Sequence, residues 1–254
     1  MTELVSCLMV TRNRLESAQR AIDCFAAQTW PERELVIVDD GDQDYSPMVM
    51  PYVNAGLKVR YHRVRQQPGI LLGGLRNRSI DFARGIWCMQ WDDHGWSDPE
   101  RITRQMAERT GRGGVALRWV LVDVRGTTHG PMAFRAATDI TTPGTILFRR
   151  DTGRYENVDR NEGAPFVREV RRSGLALLER DDSHLFVHCH EGATTRELET
   201  LLRRARRQPI GLGHRIRSML TSGARHHHAL LLDDRERATL AALHSHTARQ
   251  PIST

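Results

Sequence analysis

The sequence predicts an α/β fold with a mixed, mostly parallel central sheet flanked by helices, and with a helical C-terminal extension. Short apolar runs typical of buried strands alternate with segments whose apolar residues recur at helical spacing. Two of the apolar runs end in adjacent carboxylates, at Asp39-Asp40 and at Asp92-Asp93. The chain has 254 residues, 39% of them hydrophobic, which is enough for a sizeable core. No apolar run approaches the roughly 20 residues that span a bilayer, so we expect a soluble globular protein.

The first half of the chain alternates strands with helices. Residues 4–10 are predicted to form a buried strand, and residues 15–28 carry apolar residues at helical spacing. Further strands are predicted at 34–41, 57–64 and 86–91, and a further helix at 73–84. Ligands of such sheets bind at the carboxyl ends of the strands, so the two carboxylate pairs mark the expected site.

The second half is less regular. Asp98 and Pro99 are predicted to open a helix over 99–109, as the N-cap and the first helical residue. Later strands are predicted at 115–124, 145–149, 175–179 and 184–189, with helices at 163–174, 195–207 and 228–243 and an irregular basic linker at 208–224.

Composition and charge limit the possible functions less strictly than the pattern of strands and helices limits the fold. The net charge is +6, and almost all of the positive charge is arginine, since Lys58 is the only lysine. Arginine suits phosphate binding, whereas genomic base composition explains the same bias without any function. A role in nucleic-acid binding would depend on charge alone and is not expected. The N-terminus lacks the pattern of a signal peptide, and the four cysteines form no CxxC pair, so we expect a cytoplasmic protein with buried thiols.

Five motifs occur in a recognisable order and spacing. They are Val5-Ser-Cys-Leu-Met-Val-Thr-Arg-Asn-Arg14, Gln28-Thr29-Trp30, Glu34-Leu-Val-Ile-Val-Asp-Asp-Gly41, Arg76-Asn77, and Trp91-Asp-Asp-His-Gly-Trp96 followed by Pro99-Glu100-Arg101. Together they resemble the family 2 glycosyltransferases of the GT-A fold, over about residues 4–195. The resemblance implies an inverting enzyme that moves a sugar from a nucleoside diphosphate sugar to a hydroxyl of a glycan, a lipid-linked sugar or a protein.

The resemblance also implies a domain organisation. Residues 1–195 would form a GT-A-like, Rossmann-like domain, with a nucleotide-binding half at 1–98 and an acceptor and catalytic half at 99–195. Residues 196–254 would form the helical extension, on the acceptor side or at a homodimer contact.

By resemblance, Asp92 lies near the donor ribose and Asp93 binds a divalent metal, Mn²⁺ or Mg²⁺. Such hard cations prefer carboxylate and phosphate oxygens, and the cation neutralises the charge that develops on the leaving diphosphate. His94 stands where the family often has a third carboxylate, and it could either bind Mn²⁺ or point away. The alternative for the aspartate pair is a solvated turn.

Other residues are candidates for binding the nucleoside and phosphates of the donor. By resemblance, Asp40 accepts the N–H of a uracil-like base with Thr11 beside it, and Arg76 lies near the donor phosphates. Arg12 and Arg14 follow the first strand and could help. The alternatives are an Asx turn at Gly41 for the aspartates and a surface position for Arg76.

The catalytic base is the least regular position. Family members carry a Glu-Asp pair opening a helix, and its Asp takes the acceptor proton. Here Glu162 matches the first acid, but Gly163 occupies the position of the Asp. Glu162 could act as the base itself, and Asp159 is the second candidate. The remaining alternatives are that Glu162 only stabilises a helix N-terminus, or that the chain is a weak or inactive member.

Histidines and arginines near the C-terminus complete the candidates. By resemblance, His190 at the end of a late strand contacts the metal or the diphosphate, and His188 is a weaker candidate on the same strand face. The stretch His226-His227-His228 is interpreted as a solvated loop. The basic run at 203–207, with Arg215 and Arg217, could contact an anionic membrane surface or a lipid-linked acceptor, or could be a solvated helix face.

Two other functions remain open from sequence. A sugar-nucleotide pyrophosphorylase-like transferase would need a glycine-rich loop after the first strand, and Thr11-Arg12-Asn13-Arg14 lacks the glycines. A nucleotide-binding partner protein that has lost catalysis is supported by Gly163.

Overall fold

The computed structural model describes residues 2–64, 68–126, 131–138, 143–159, 162–191 and 232–249. Within them the strands are β1 (Val5–Thr11), β2 (Arg33–Asp39), β3 (Val59–Arg63), β4 (Trp87–Gln90), β5 (Gly95–Ser97), β6 (Gly114–Leu117), β7 (Trp119–Arg125), β8 (Met132–Ala137), β9 (Leu147–Arg149), β10 (Leu175–Leu178) and β11 (Phe186–Glu191). The α-helices are α1 (Leu15–Ala26), α2 (Ser46–Asn54), α3 (Leu72–Phe82), α4 (Arg101–Ala107), α5 (Gly163–Arg172) and α6 (Asp234–Arg249). Among these residues, no helix is both long and apolar enough to cross a bilayer.

A seven-stranded sheet forms the centre of the molecule, in the order β10-β6-β9-β4-β1-β2-β3. Its strands are parallel except β9, which runs antiparallel to both of its neighbours. In the register of β1 with β2, Thr11 lies beside Asp39, so both strands end at the same edge of the sheet. The predicted α/β class with a mostly parallel sheet is confirmed.

Helices cover both faces of this sheet because alternate residues of its strands point to opposite sides. Cys7 and Met9 of β1 belong to the same buried cluster as Ile22 of α1. Leu8 belongs to the opposite cluster, with Ile80 of α3 and Phe166 of α5. All four cysteines are buried, and burial raises the pKa of the Cys24 thiol to about 12.

A second sheet of four strands, in the order β5-β11-β7-β8, packs beside the first. The predicted strand at 115–124 is divided at Arg118 between the two sheets, with β6 in the large one and β7 in the small one. The Arg118 amide donates to Leu178 O at 2.9 Å, and the Arg118 carbonyl accepts from the Thr138 amide at 2.8 Å. These two hydrogen bonds hold the junction from both sides.

Helix α6 is anchored by a buried ion pair. Glu236 in its first turn pairs with Arg135 of β8 and also accepts from the Ser183 hydroxyl. Glu236 and Asp233 form a capping box, since each carboxylate accepts from the other's backbone amide at 2.9 Å. Two histidines in the last turns of α6, His244 and His246, lie 3.2 Å from carboxylates of β7 and α1.

Several predicted boundaries differ from the structure. Helix α6 begins at Asp234, six residues later than predicted, where the capping box satisfies its first amides. Helix α4 begins at Arg101 because residues 99–100 form a turn, in which the Asp98 carboxylate accepts from the Glu100 amide at 2.9 Å. The predicted helix at 195–207, the linker at 208–224, His226–His228 and the basic run at 203–207 lie outside the described residues, as do Arg215 and Arg217.

Candidate active site

A cavity of about 410 Å³ opens at the carboxyl ends of β1, β2 and β4. Eight of the site residues predicted from sequence line it: Thr11, Arg12, Asp40, Arg76, Asp92, Asp93, His94 and Asp159. They come from five separate stretches of the chain. The parallel register of β1, β2 and β4 brings the residues that follow these strands to one edge of the sheet, and Arg76 of α3 and Asp159 adjoin them there. Glu162 adjoins this group through Arg76, whereas His190 lines a different, much smaller cavity.

The two aspartates that follow β2 have different surroundings. Asp39 is fully buried and accepts hydrogen bonds from the Tyr61 hydroxyl (2.7 Å) and the Gly41 amide (2.8 Å). Asp39 therefore makes the local turn that was the alternative for this pair. Asp40 lines the cavity and pairs with the Arg12 guanidinium, whose Nε lies 3.0 Å from Oδ1.

Asn13 organises the loop after β2, a role that sequence reasoning missed. Its backbone is left-handed, with φ of 51°, a conformation that asparagine tolerates better than most residues. Its Oδ1 accepts from the amides of Asp42 (2.8 Å) and Gln43 (3.2 Å). A Cβ at Gly41 would lie 2.5 Å from this oxygen, so the close approach requires glycine. Two features of the sequence could have indicated this role: the Asp40-Gly41 pair directly after a predicted strand, and Asn13 shortly after another.

Asp93 is nearly buried, and its two carboxylate oxygens have different partners. Oδ2 accepts from the Thr11 hydroxyl at 2.9 Å. Oδ1 faces the Arg14 guanidinium at 3.4 Å and the imidazole Nδ1 of His94 at 3.1 Å. Burial lowers the pKa of His94, but the hydrogen bond to Asp93 and the charge of Asp92 outweigh it, so the pKa is raised overall.

Asp92 forms part of the cavity wall, and its surroundings favour the carboxylate. Burial raises the pKa of Asp92, but attraction to His94, Arg76 and other nearby cations outweighs burial and lowers the pKa overall. A Cβ at Gly144 would lie 2.2 Å from Asp92 Oδ2, so the 3₁₀ turn at Pro143–Thr145 closes over this carboxylate only because residue 144 is glycine.

Arg101 stabilises the residues around Asp92 with its buried side chain. Its buried guanidinium donates to Ser97 Oγ at 3.0 Å and to Gly144 O at 2.9 Å. It also lies over the rings of Trp91 and Phe186, at 5.3 and 4.6 Å from their centroids. Burial lowers the pKa of Arg101 to about 10. The arginine of the Pro99-Glu100-Arg101 motif is therefore structural.

The Arg76-Asn77 motif joins α3 to residues 155–159. Asn77 exchanges two hydrogen bonds of 2.8 Å with the backbone of Tyr155. The fit against α3 is close, since a Cβ at Gly73 would lie 1.7 Å from Glu156 O. This contact positions residues 155–159, so that Asp159 lies exposed at the cavity.

Arg76 is buried in the cavity wall, which contradicts the surface alternative considered for it. Its Nη2 lies 3.4 Å from Oε1 of Glu162, the residue that precedes α5. Among the described residues, Nε and Nη1 of Arg76 have no hydrogen-bond partner. Glu162 is buried at the N-terminus of α5 and makes no side-chain capping hydrogen bond there, so both an electrostatic role at the helix N-terminus and a role as the base stay predictions.

The histidines of β11 extend away from the cavity at the carboxyl edge of the sheet. The His188 ring lies 5.9 Å from the His94 ring, and His190 lies a further 5.8 Å from His188. His190 lines a small cavity with Arg20 and Asp123. The structure thus brings His188, rather than His190, beside the residues that line the larger cavity.

The residues at Asp93 fit a hard divalent cation that takes further ligands from a substrate. Among the described residues, no three His, Cys, Asp or Glu side chains are grouped closely enough to hold a metal alone. Asp93 Oδ1 with the adjacent His94 offers one carboxylate and one imidazole. Mg²⁺ in particular is commonly held by one or two carboxylates, with substrate phosphates and water completing its coordination.

The sequence model described as "Glycosyl transferase family 2" matches residues 6–175, well over half of the chain. The chain belongs to glycosyl transferase family 2. The family, and with it the class of glycosyltransferase enzymes predicted from the sequence motifs, is therefore confirmed.

Individual proteins are similar to this chain in sequence or in structure. The succinoglycan biosynthesis protein ExoO of Rhizobium meliloti is 30% identical over 120 residues, which are 47% of this chain and 33% of ExoO, so the match spans about a third of that relative. Among solved structures, TarS of S. aureus in complex with UDP-GlcNAc aligns with a TM-score of 0.59 at 15% identity, covering 98% of this chain and 74% of that one. The mannosyltransferase PcManGT of Pyrobaculum calidifontis, in complex with GDP-Man and Mn²⁺, aligns with a TM-score of 0.56 at 14% identity, covering 99% and 77%. These structures share the fold of this chain and confirm the predicted GT-A architecture.

Proposed function

We propose that the protein transfers a sugar from a nucleoside diphosphate sugar to an acceptor hydroxyl in a single, inverting displacement that depends on a divalent cation. The observation that carries the proposal is the convergence of Asp40, Asp92, Asp93 and Arg76 on one cavity at the carboxyl edge of the sheet. Holding donor and acceptor in line would supply much of the rate gain.

The cavity offers separate groups for the parts of the donor. Asp40 would accept an N–H of the base, with Thr11 and Arg12 beside it. Asp92, kept ionised by its neighbours, would accept from the ribose hydroxyls. Arg76 would bind the phosphates of the donor. Its guanidinium is buried at the cavity, and two of its nitrogens have no hydrogen-bond partner among the described residues. A buried unpaired donor is costly, and an anionic ligand would satisfy it.

Asp93 and His94 would hold Mn²⁺ or Mg²⁺, with His188 or His190 as a further contact to the metal or the diphosphate. The cation would act as a Lewis acid that stabilises the charge on the leaving diphosphate. Thr11 would keep Asp93 oriented through its hydrogen bond to Oδ2.

Glu162 would accept the proton of the acceptor hydroxyl. Support comes from its burial and from its ion pair with Arg76, which lines the donor cavity. Asp159, exposed at the cavity mouth, is the second candidate.

The related proteins suggest which donors and acceptors to test first. TarS was crystallised with UDP-GlcNAc and PcManGT with GDP-Man, so uridine and guanosine diphosphate sugars are the first donors. ExoO is named for polysaccharide biosynthesis, which favours a glycan or lipid-linked acceptor over a protein. A lipid-linked acceptor would bring the protein to the cytoplasmic face of the membrane as a peripheral enzyme, and a homodimer is compatible with this role.

The test is ligand-induced thermal stabilisation followed by donor hydrolysis. UDP and GDP are added with and without Mn²⁺, and the matching sugar nucleotides are then assayed for slow release of free sugar. We expect one nucleotide with Mn²⁺ to raise the Tm, and Asp93→Ala to abolish both the Mn²⁺-dependent part of the shift and the hydrolysis. Asp151→Ala, at an exposed aspartate paired with Arg149 away from the cavity, is the control and should behave as wild type.

The outcomes separate the alternatives. Binding with no release or transfer of sugar would favour a nucleotide-binding partner protein that has lost catalysis. The absence of any shift with either nucleotide would contradict the proposed donor site.

A further inference from the structure

Three carboxylates at the candidate active site are each held by an arginine. Arg12 pairs with Asp40, Arg14 pairs with Asp93, and Arg76 pairs with Glu162. Each carboxylate belongs to a different proposed task, namely recognition of the base, binding of the metal and removal of the acceptor proton. Ligands that use these carboxylates would therefore compete with the three ion pairs.

The pair between Arg14 and Asp93 combines a fixed backbone with a mobile side chain. The Arg14 amide donates to the Tyr45 hydroxyl at 2.7 Å, and that hydroxyl lies 3.1 Å from Thr11 Oγ1. Thr11 in turn donates to Asp93 Oδ2. The Arg14 side chain, by contrast, is 58% exposed, and its Nη1 lies 3.4 Å from Asp93 Oδ1. Only its outer part would have to move to break the pair.

A metal on Asp93 and the present position of Arg14 are incompatible. Divalent cations of this class bind carboxylate oxygens at about 2.0–2.2 Å. Oδ2 already accepts from Thr11, so the cation would take Oδ1, the oxygen that Arg14 and His94 face. The cation and the guanidinium are both positive and would lie only a few ångströms apart. Their repulsion is strong even near a protein surface, so the guanidinium would turn away.

The displaced guanidinium would remain at the mouth of the donor cavity, which Arg14 lines together with Arg12 and Arg76. The next anion within reach of an arginine there is the diphosphate of the donor, and a guanidinium binds phosphate oxygens with two parallel hydrogen bonds. Binding of the metal would thus release Arg14 for the diphosphate, and binding of the diphosphate to Arg14 would leave Asp93 free for the metal.

We propose that Arg14 is a displaceable counter-ion of Asp93, which competes with the metal for this carboxylate and binds the donor diphosphate once the metal has replaced it. This inference rests on the proposed function. It makes Arg14 a positioning residue that couples the two ligands, so that Mn²⁺ binds weakly alone and more tightly with a nucleoside diphosphate.

The experiment measures Mn²⁺ binding directly, from the electron paramagnetic resonance signal of free Mn²⁺, with no nucleotide and with saturating UDP or GDP. Wild type is compared with Arg14→Gln and Arg14→Lys. The matched control is Arg12→Gln, which removes the same charge from an equally exposed arginine two residues away, paired with Asp40 instead of Asp93. Circular dichroism in the near ultraviolet checks that each variant is folded.

Without nucleotide, we expect Arg14→Gln to bind Mn²⁺ about two- to fivefold more tightly than wild type, the range that an exposed ion pair is worth. Arg14→Lys and Arg12→Gln should stay close to wild type. The ratio of Mn²⁺ affinities with and without nucleotide should fall in Arg14→Gln by at least the same factor.

Two results would overturn the inference while leaving the proposed function intact. One is an unchanged or weaker Mn²⁺ affinity in Arg14→Gln, and the other is an equal gain in Arg12→Gln, which would indicate a general charge effect. Failure of wild type to bind Mn²⁺ with either nucleotide would contradict the proposed function itself and the inference with it.

Discussion

Replacing Glu236 by alanine should destabilise the protein strongly, because this residue anchors α6. The Glu236 and Arg135 side chains are only 1% and 4% exposed, so the ion pair is screened very little by solvent. The same carboxylate accepts from the Ser183 hydroxyl and, through the capping box, from the Asp233 amide. The substitution removes the charge partner of a buried guanidinium and leaves these donors without their acceptor.

The expected cost follows from these contacts. Breaking a buried ion pair by removing one partner costs about 3–5 kcal/mol, and loss of a helix cap alone costs about 0.5–2 kcal/mol. Because one side chain makes both interactions, the two costs are not additive. We expect Glu236→Ala to lower the free energy of unfolding by about 3–5 kcal/mol, a large part of the stability of an ordinary domain.

Urea unfolding followed by circular dichroism measures this cost. The control is Asp234→Ala, two residues earlier, whose pair with Arg237 is exposed and whose loss should leave the unfolding midpoint unchanged. The double variant Arg135→Met, Glu236→Leu replaces the pair by apolar groups and should recover most of the lost stability, since buried ion pairs are often replaceable in this way. A loss below about 1 kcal/mol in Glu236→Ala would refute the reasoning, as would a double variant no more stable than the single one.

The same variant provides a functional readout. Leu243 and Thr247 of α6 line the small cavity that also contains Arg20, and Arg20 donates to the carbonyl oxygen of His94 at 3.3 Å. Loosening of α6 should therefore reach the loop that carries Asp93 and weaken nucleotide binding with Mn²⁺. Unchanged nucleotide affinity in a destabilised Glu236→Ala would separate α6 from the donor site.

Three further predictions concern single positions. Gly73→Ala places a methyl group 1.7 Å from Glu156 O, so it should cost about 1–3 kcal/mol in urea unfolding and lower activity, whereas an unchanged midpoint would contradict the close fit. Burial, and then Arg60, lower the pKa of His62, so the unfolded state binds the proton more readily and stability should fall as the pH drops through about 6.5. In a Tm series from pH 8 to 5, His62→Gln should lose less than wild type, and an identical slope would count against this linkage. His188→Gln should weaken nucleotide-dependent Mn²⁺ binding more than His190→Gln, because the His188 ring is nearer the donor cavity; the reverse order in the resonance titration would favour His190.

The sequence predicts the donor side of the fold and site well. Buried parallel strands give continuous apolar runs, and their carboxyl ends converge by geometry, so Thr11, Asp40 and Asp92 could be assigned to one edge before any contact was known. Arg76 was placed there through the family resemblance, and the structure adds that it is buried.

The remaining features depend on contacts between distant segments. Strand β5 has only three residues, too few for a periodic pattern. The division at Arg118 depends on hydrogen bonds with Leu178, 60 positions later in the chain, and with Thr138. The pairing of Arg14 with Asp93 spans 79 positions. The family resemblance favoured His190 over His188, but the pairing of β11 with β5 sets His188 opposite Gly95 and so beside His94.

The junction at Arg118 has a practical consequence for redesign. Its backbone amide and carbonyl are bonded to the end of β10 and to the residue that follows β8, so an insertion there would disrupt the register of β6 with β10 and of β7 with β8. The connection between β7 and β8 joins the opposite ends of those two strands. Loops of other lengths could be exchanged at that end while the junction keeps the register of both sheets. A library of connections of different length between Arg125 and Met132 would therefore show how far the Arg118 junction alone sets the pairing of β7 with β8.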